Sequence, residues 1–130
     1  SMKAFMRPGM KYPVLTNDNT KNKAWAEGVK LMAQQHAPVG GPWDGPVELS
    51  LTFTLVRPKS LPKKVVHHLK KPDLDKLTRS IKDALKGVMY YDDSQVVHLN
   101  CWKQYESEHR AIGVMVMATH LLAQERTLPL

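Results

Sequence analysis

Apolar and polar residues alternate strictly along residues 47–56. Val47, Leu49, Leu51, Phe53 and Leu55 take one face, and Glu48, Ser50, Thr52 and Thr54 the other. That period of two predicts a half-buried strand. Beyond Pro72 the period changes. Leu74, Leu77, Ile81, Ala84, Leu85 and Val88 fall within an arc of about 100° at helical spacing, which predicts a helix over residues 74–86. Asp73 is a good N-cap for it, Pro72 keeps the preceding residue out of helix, and Gly87 suits the C-terminal cap. A second helix is predicted over residues 21–35, capped by Thr20, with Trp25, Val29, Met32 and Ala33 at helical spacing. Residues 96–105 and 111–119 read as two further strands, joined by a hairpin turn at residues 107–110.

The segments between these elements are rich in turn formers. Residues 2–20, with Pro8, Gly9 and Pro13, read as an extended basic loop. Residues 37–46 carry Gly40, Gly41, Pro42, Gly45 and Pro46. Residues 57–72 form a proline-containing loop with six cations and no acid; loops of this length in compact domains are often functional. Residues 121–130 have no clear pattern. There is no internal repeat. The expectation is one α+β domain over residues 1–130: a small mixed β-sheet with α-helices packed on it.

Composition narrows the class. A chain of 130 residues with 42% hydrophobic and 24% charged residues is long enough to bury a core and is not of the disordered type. No apolar run reaches the roughly 20 residues that span a bilayer, so no membrane partner is expected. The N-terminus has no apolar stretch of the secretory kind, and the single Cys101 agrees with a reducing compartment. A cytoplasmic location is expected.

Charge changes the picture most. The net charge is +7, but residues 1–71 hold 12 Lys/Arg against 4 Asp/Glu, and residues 72–130 hold 7 against 8. A basic surface attracts polyanions. The carboxylates gather where the bases thin out. Asp73 and Asp75 open the predicted helix, where its dipole favours negative charge, and Asp92 and Asp93 follow its end. Taken singly, Asp73 is a helix cap and Asp92-Asp93 a turn. Together they are neighbouring carboxylates that repel unless a cation neutralises them. Mg²⁺, a hard ion taking one to three carboxylates with water and substrate phosphate, is the expected cofactor, with Mn²⁺ as substitute. Such an ion would support phosphodiester hydrolysis, with Arg79 or Lys76 stabilising the charged phosphate. The stretch between helix and acids is too short to return Asp93 along the whole helix. Convergence of the two pairs therefore needs the following strand to pass beneath the helix start, or a second subunit.

Lys71-Pro72-Asp73-Leu74-Asp75, then Asp83-Ala84-Leu85 and Gly87, then Asp92-Asp93 with Gln95-Val96, resembles the RusA-type endodeoxyribonucleases, the Holliday-junction resolvases common in prophages. The likeness is dense over residues 71–105 and looser over residues 3–35. It implies a homodimer that binds four-way DNA junctions and nicks them symmetrically with Mg²⁺ in DNA recombination and repair. It implies Asp73, Asp75 and Asp93 as catalytic, metal-holding acids, with Asp92 as a close helper. A family lysine maps onto Arg79, and Lys76 stands where the family usually has Asn. The family also usually opens with a strand before the basic loop, whereas this chain is expected to open at the loop. The expected DNA contacts are Arg7, Lys11, Arg57, Lys59, Lys63, Lys64, Lys70, Lys71 and Lys103. The departures at Lys76 and Arg79 keep open an alternative, a catalytically silent junction-binding protein of the same fold. A less selective nuclease acting on flaps or single strands is a third reading. The six histidines show no metal-ligand spacing; His67-His68 is the only pair and suggests solvent or phosphate contact.

Overall fold

The computed structural model describes residues 11–14 and 22–121. The chain order is β1 (Lys11–Val14), α1 (Asn22–Gln35), β2 (Val47–Leu55), α2 (Leu74–Leu85), a single 3₁₀ turn (Asp93–Gln95), β3 (Val96–Tyr105) and β4 (Gly113–His120). This is the expected α+β fold. No helix among the described residues is long and apolar enough to cross a membrane.

The four strands lie in the order β1-β4-β2-β3. β4 is antiparallel to both β1 and β2, while β2 and β3 are parallel. Parallel neighbours need a long crossover, and the loop after β2 together with α2 provides it. The predicted hairpin between the last two strands does not form. Residues 107–110 do make a tight turn, in which the Ser107 and Arg110 backbones exchange hydrogen bonds, but the strands it joins are separated by β2. β2 takes the central place because its whole apolar face can be buried: Val47, Leu49, Leu51, Phe53 and Leu55 are all at most 3% exposed. A second correction concerns residues 2–20, expected as loop. Residues 11–14 of that stretch are strand β1, paired Lys11 to Met117 through Val14 to Val114. The rest of the stretch, including Arg7 and the Thr20 cap, lies outside the described residues, as do residues 122–130.

Both helices cover one face of the sheet. Trp25, Val29, Met32 and Ala33 of α1 and Leu77, Ile81, Ala84 and Leu85 of α2 join one core with β2 and with Val114, Val116 and Ala118 of β4. The Trp25 ring stacks on Phe53 at 6.1 Å between centroids. The opposite face is open, with Met115 and Trp102 exposed. β3 forms one edge of the sheet. Only its end is fully buried, at Tyr105, so the space between β3 and α2 stays open as a cleft.

Candidate active site

The cleft measures about 800 Å³ and is lined by Leu74, Asp75, Thr78, Arg79, Lys82 and Asp83 of α2, by Asp93, and by Leu99 and Cys101 of β3. Helical spacing explains the charged wall. Asp75, Arg79 and Asp83 succeed one another at four-residue steps and share a face. Leu77, Ile81 and Leu85 hold the opposite face in the core.

Asp73 and Asp75 begin the helix. Asp73 is the N-cap, and its carbonyl accepts from the Leu77 N–H at 3.1 Å. Its exposed carboxylate makes no capping hydrogen bond, so the plain-cap account of this aspartate leaves the side chain unused. The chain ahead of it is clamped. The Lys103 ammonium, arriving on β3, donates to the Lys70 carbonyl at 2.7 Å and the Pro72 carbonyl at 3.0 Å. The Lys71–Pro72 bond between them is cis.

Asp93 opens the 3₁₀ turn after α2. Its Oδ1 accepts from the Tyr90 hydroxyl at 3.2 Å, and that hydroxyl also lies 3.1 Å from the Lys82 carbonyl. Burial, followed by the charges of Asp93 and Asp83, pushes the Tyr90 phenol far above its ordinary range. Gln95 locks the turn. Its Oε1 accepts from the Tyr91 and Asp92 N–H groups at 2.8 and 2.9 Å, and its Nε2 donates to the Trp43 and Gly45 carbonyls at 2.7 and 2.9 Å. Asp92 points elsewhere. The Ser94 hydroxyl donates to it at 2.8 Å and Lys86 lies 3.9 Å away. The Ser94 hydrogen bond, with the Asp93 N–H and the Lys86 charge, holds its carboxyl below the usual range.

Of the expected acids, Asp75 and Asp93 thus border one cleft, and Asp73 and Asp92 do not line it. Among the described residues no three His, Cys, Asp or Glu side chains stand close enough to hold an ion together. The reason is the direction of the chain. Asp93 is tied to the Lys82 level of α2, seven residues past Asp75 and so roughly 10 Å along the axis. The carboxylate oxygens of Asp75, Asp83 and Asp93 suit a hard cation, and Mg²⁺ takes few carboxylates, completing its shell with water and substrate phosphate. The cleft fits an ion bound together with its substrate rather than a preformed cage.

The expected bases divide. Lys59, Lys63, Lys64, Lys70 and Lys71 are exposed. Arg57 is turned onto its own loop. Its guanidinium donates to the Val65 and Pro62 carbonyls, each at 2.8 Å, and lies 5.2 Å over the Tyr105 ring. Lys76 and Arg79 are exposed on α2, and Arg79 alone of the two lines the cleft. The side chain of Lys11 lies outside the described residues. His68, expected near solvent or phosphate, is instead buried against Tyr105 at 4.7 Å, with its Nδ1 unpartnered, while His67 stays exposed.

Three residues of this site carry no chemical role in the sequence reading. Asp83 was legible as a member of the Asp75-Arg79-Asp83 face. Gln95 sits in the Asp-Asp-x-Gln-Val motif, which gave it a signal but no role. The Tyr90 contact had none, because nothing in the sequence tells a tyrosine that anchors a loop from one that bonds a particular acid.

Comparison with known proteins places the chain. It is 35% identical over 109 residues to the uncharacterized protein YqaN of Bacillus subtilis (strain 168), covering 76% of this chain and 75% of that protein. No solved structure matches it. Residues 6–117 match the family described as endodeoxyribonuclease RusA, which takes in the helix, the acid turn and the strands bordering the cleft, and the chain belongs to that family.

Proposed function

We propose that this chain is a divalent-metal-dependent endonuclease that nicks branched DNA, four-way junctions above all, by hydrolysing a phosphodiester. The observation that carries the reading is the cleft, where Asp75, Asp83 and Asp93 face Arg79 and Lys82 along α2. In it, Asp75 and Asp93 are the acids best placed to hold Mg²⁺ or Mn²⁺. Asp73, uncommitted at the cap, is within one helical turn of Asp75. The ion, when bound, would polarise a phosphoryl oxygen and lower the pKa of an attacking water. Arg79 supplies positive charge to the phosphate between the acids. A guanidinium stays protonated at any working pH, so its part is electrostatic and not proton transfer. The exposed lysines of residues 59–71 hold the flanking backbone. Two nicks related by symmetry need two sites so related, and a homodimer belongs to this reading; sedimentation measures it directly.

The test is a synthetic four-way junction with Mg²⁺, an EDTA control and mapped products. Asp75→Asn and Asp93→Asn are expected to lose cleavage by at least 100-fold, a loss of nearly 3 kcal/mol of transition-state stabilisation, while still binding the junction. Cleavage at the wild-type rate by either variant sinks the assignment. One observation favours a second reading, a junction-binding protein without activity: the described residues hold no three-ligand group. Junction binding without any metal-dependent product would select it. Equal cutting of linear and branched DNA would select a less selective nuclease.

A further inference from the structure

We propose that Tyr90 is a positioning residue for Asp93: its hydroxyl takes one carboxylate oxygen and leaves the other to the cleft, making Asp93 a one-oxygen ligand for a divalent cation. This rests on the reading of Asp93 as a metal-holding acid.

Tyr90 is fully buried, at 0% exposure, although it directly precedes the exposed Tyr91 and Asp92. Its ring belongs to the core, yet its hydroxyl reaches the polar end of the cleft. There it meets two acceptors, the Lys82 carbonyl at 3.1 Å and Asp93 Oδ1 at 3.2 Å. A phenol has one proton to donate, so the helix and the acid turn are tied through a single shared donor. Lys82 and Asp93 both line the cleft. The tyrosine backbone is fixed as well. The Gly87 N–H donates to the Tyr90 carbonyl at 2.6 Å, and the Trp43 N–H to the Met89 carbonyl at 2.8 Å. Gly87 has φ +82°, a conformation other residues rarely adopt, so the short return from α2 is built to bring the phenol to this point. A packing tyrosine needs one acceptor for its hydroxyl. This one has an acceptor in Lys82 and still spans to the acid.

The chemistry follows from what a carboxylate can do. An aspartate free to rotate offers a cation either oxygen or both. With Oδ1 held by a neutral donor, the remaining oxygen is presented in one orientation. Outer partners of this kind typically change metal affinity by 10–100-fold when removed.

The experiment measures Mn²⁺ binding by electron paramagnetic resonance, with thermal unfolding alongside, in four proteins: wild type, Tyr90→Phe, Asp93→Asn and the double variant. Phenylalanine keeps the buried ring and removes only the hydroxyl. The expected result is Mn²⁺ binding roughly 10-fold weaker in Tyr90→Phe, and no further loss when that change is added to Asp93→Asn. A lower Tm with unchanged Mn²⁺ affinity would make Tyr90 a core strut and overturn the proposal. So would losses that multiply in the double variant, because the tyrosine would then act independently of the acid. Unchanged binding in Asp93→Asn is a separate failure: it removes Asp93 from the metal site and takes the role of Tyr90 with it.

Discussion

Single side chains in this protein divide between those that hold the chain and those that face the cleft, and His68 belongs to the first kind. It is 8% exposed, packs at a 45° tilt against the Tyr105 ring, and leaves Nδ1 without a partner. Desolvation first, then the positive charge of Lys103, lowers its pKa below the ordinary 6.5. Below about pH 6.5 the unfolded chain therefore takes up a proton here that the folded chain refuses. More protons on the unfolded state means that stability rises with pH through this window and is lost as pH falls below it. Replacing the ring by one that cannot ionise removes that term. His68→Phe is expected to flatten the dependence of Tm on pH between about 6.5 and 5 relative to wild type, as read by thermal unfolding across that range. A parallel decline in both proteins would refute it. Asp92 works in the same sense at lower pH: its lowered carboxyl is stabilising above the ordinary carboxylate range and ceases to be so as pH falls through its folded pKa. Its exposure to solvent makes that contribution minor.

Elements were far more legible than their neighbours. Periodicity placed α1, β2 and α2 to within a residue or two, because each buries one face and the burial writes itself into the sequence: Trp25, Val29, Met32 and Ala33 for α1, and Leu77, Ile81 and Leu85 for α2. Pairing is a tertiary property. The turn at residues 107–110 has the composition of a hairpin, yet β4 pairs with β2 across Leu51 and Val116, since only a central strand buries the whole apolar face of β2. The acids were legible for the same reason as the helix, through spacing. What joins them was not, because the partners are carbonyls and one buried phenol. Lys103 illustrates the limit. The family resemblance suggests it as a phosphate contact, but its ammonium bridges the Lys70 and Pro72 carbonyls just ahead of Asp73. It therefore fixes how the loop enters α2. Lys103→Met keeps the stem and deletes the bridge. The expected cost is about 1–2 kcal/mol, measured by urea unfolding, with faster tryptic cleavage after Lys70. Cleavage at the wild-type rate would show the loop to be held by other contacts.

Across the whole molecule, bases outnumber acids over residues 1–71, 12 to 4, but not over residues 72–130, 7 to 8. The net charge is +7, and the exposed lysines at 59, 63, 64, 70 and 71 lie on the loop that feeds directly into α2 and its acids. On the proposed reading, this loop and, inside the cleft, Arg79 and Lys82 offset the repulsion between DNA and the carboxylates. The loop does not hang free. Arg57 pins its first half to the Pro62 and Val65 carbonyls, and Lys103 pins its end. Two kinds of cation should then be separable by salt. Each lysine that neutralises a phosphate adds about 0.9 to the slope of log K against log salt. Lys63→Gln with Lys64→Gln is expected to lower the slope for junction binding by up to about 2 and leave Tm unchanged, since both side chains are exposed. Arg57→Gln removes equal charge per residue but also the staple. It should lower Tm and weaken binding by releasing the loop, with little change in slope. Fluorescence anisotropy over a range of KCl concentrations decides between them. A slope loss for Arg57→Gln as large as for a surface lysine would mean that Arg57 leaves its carbonyls to meet the phosphate.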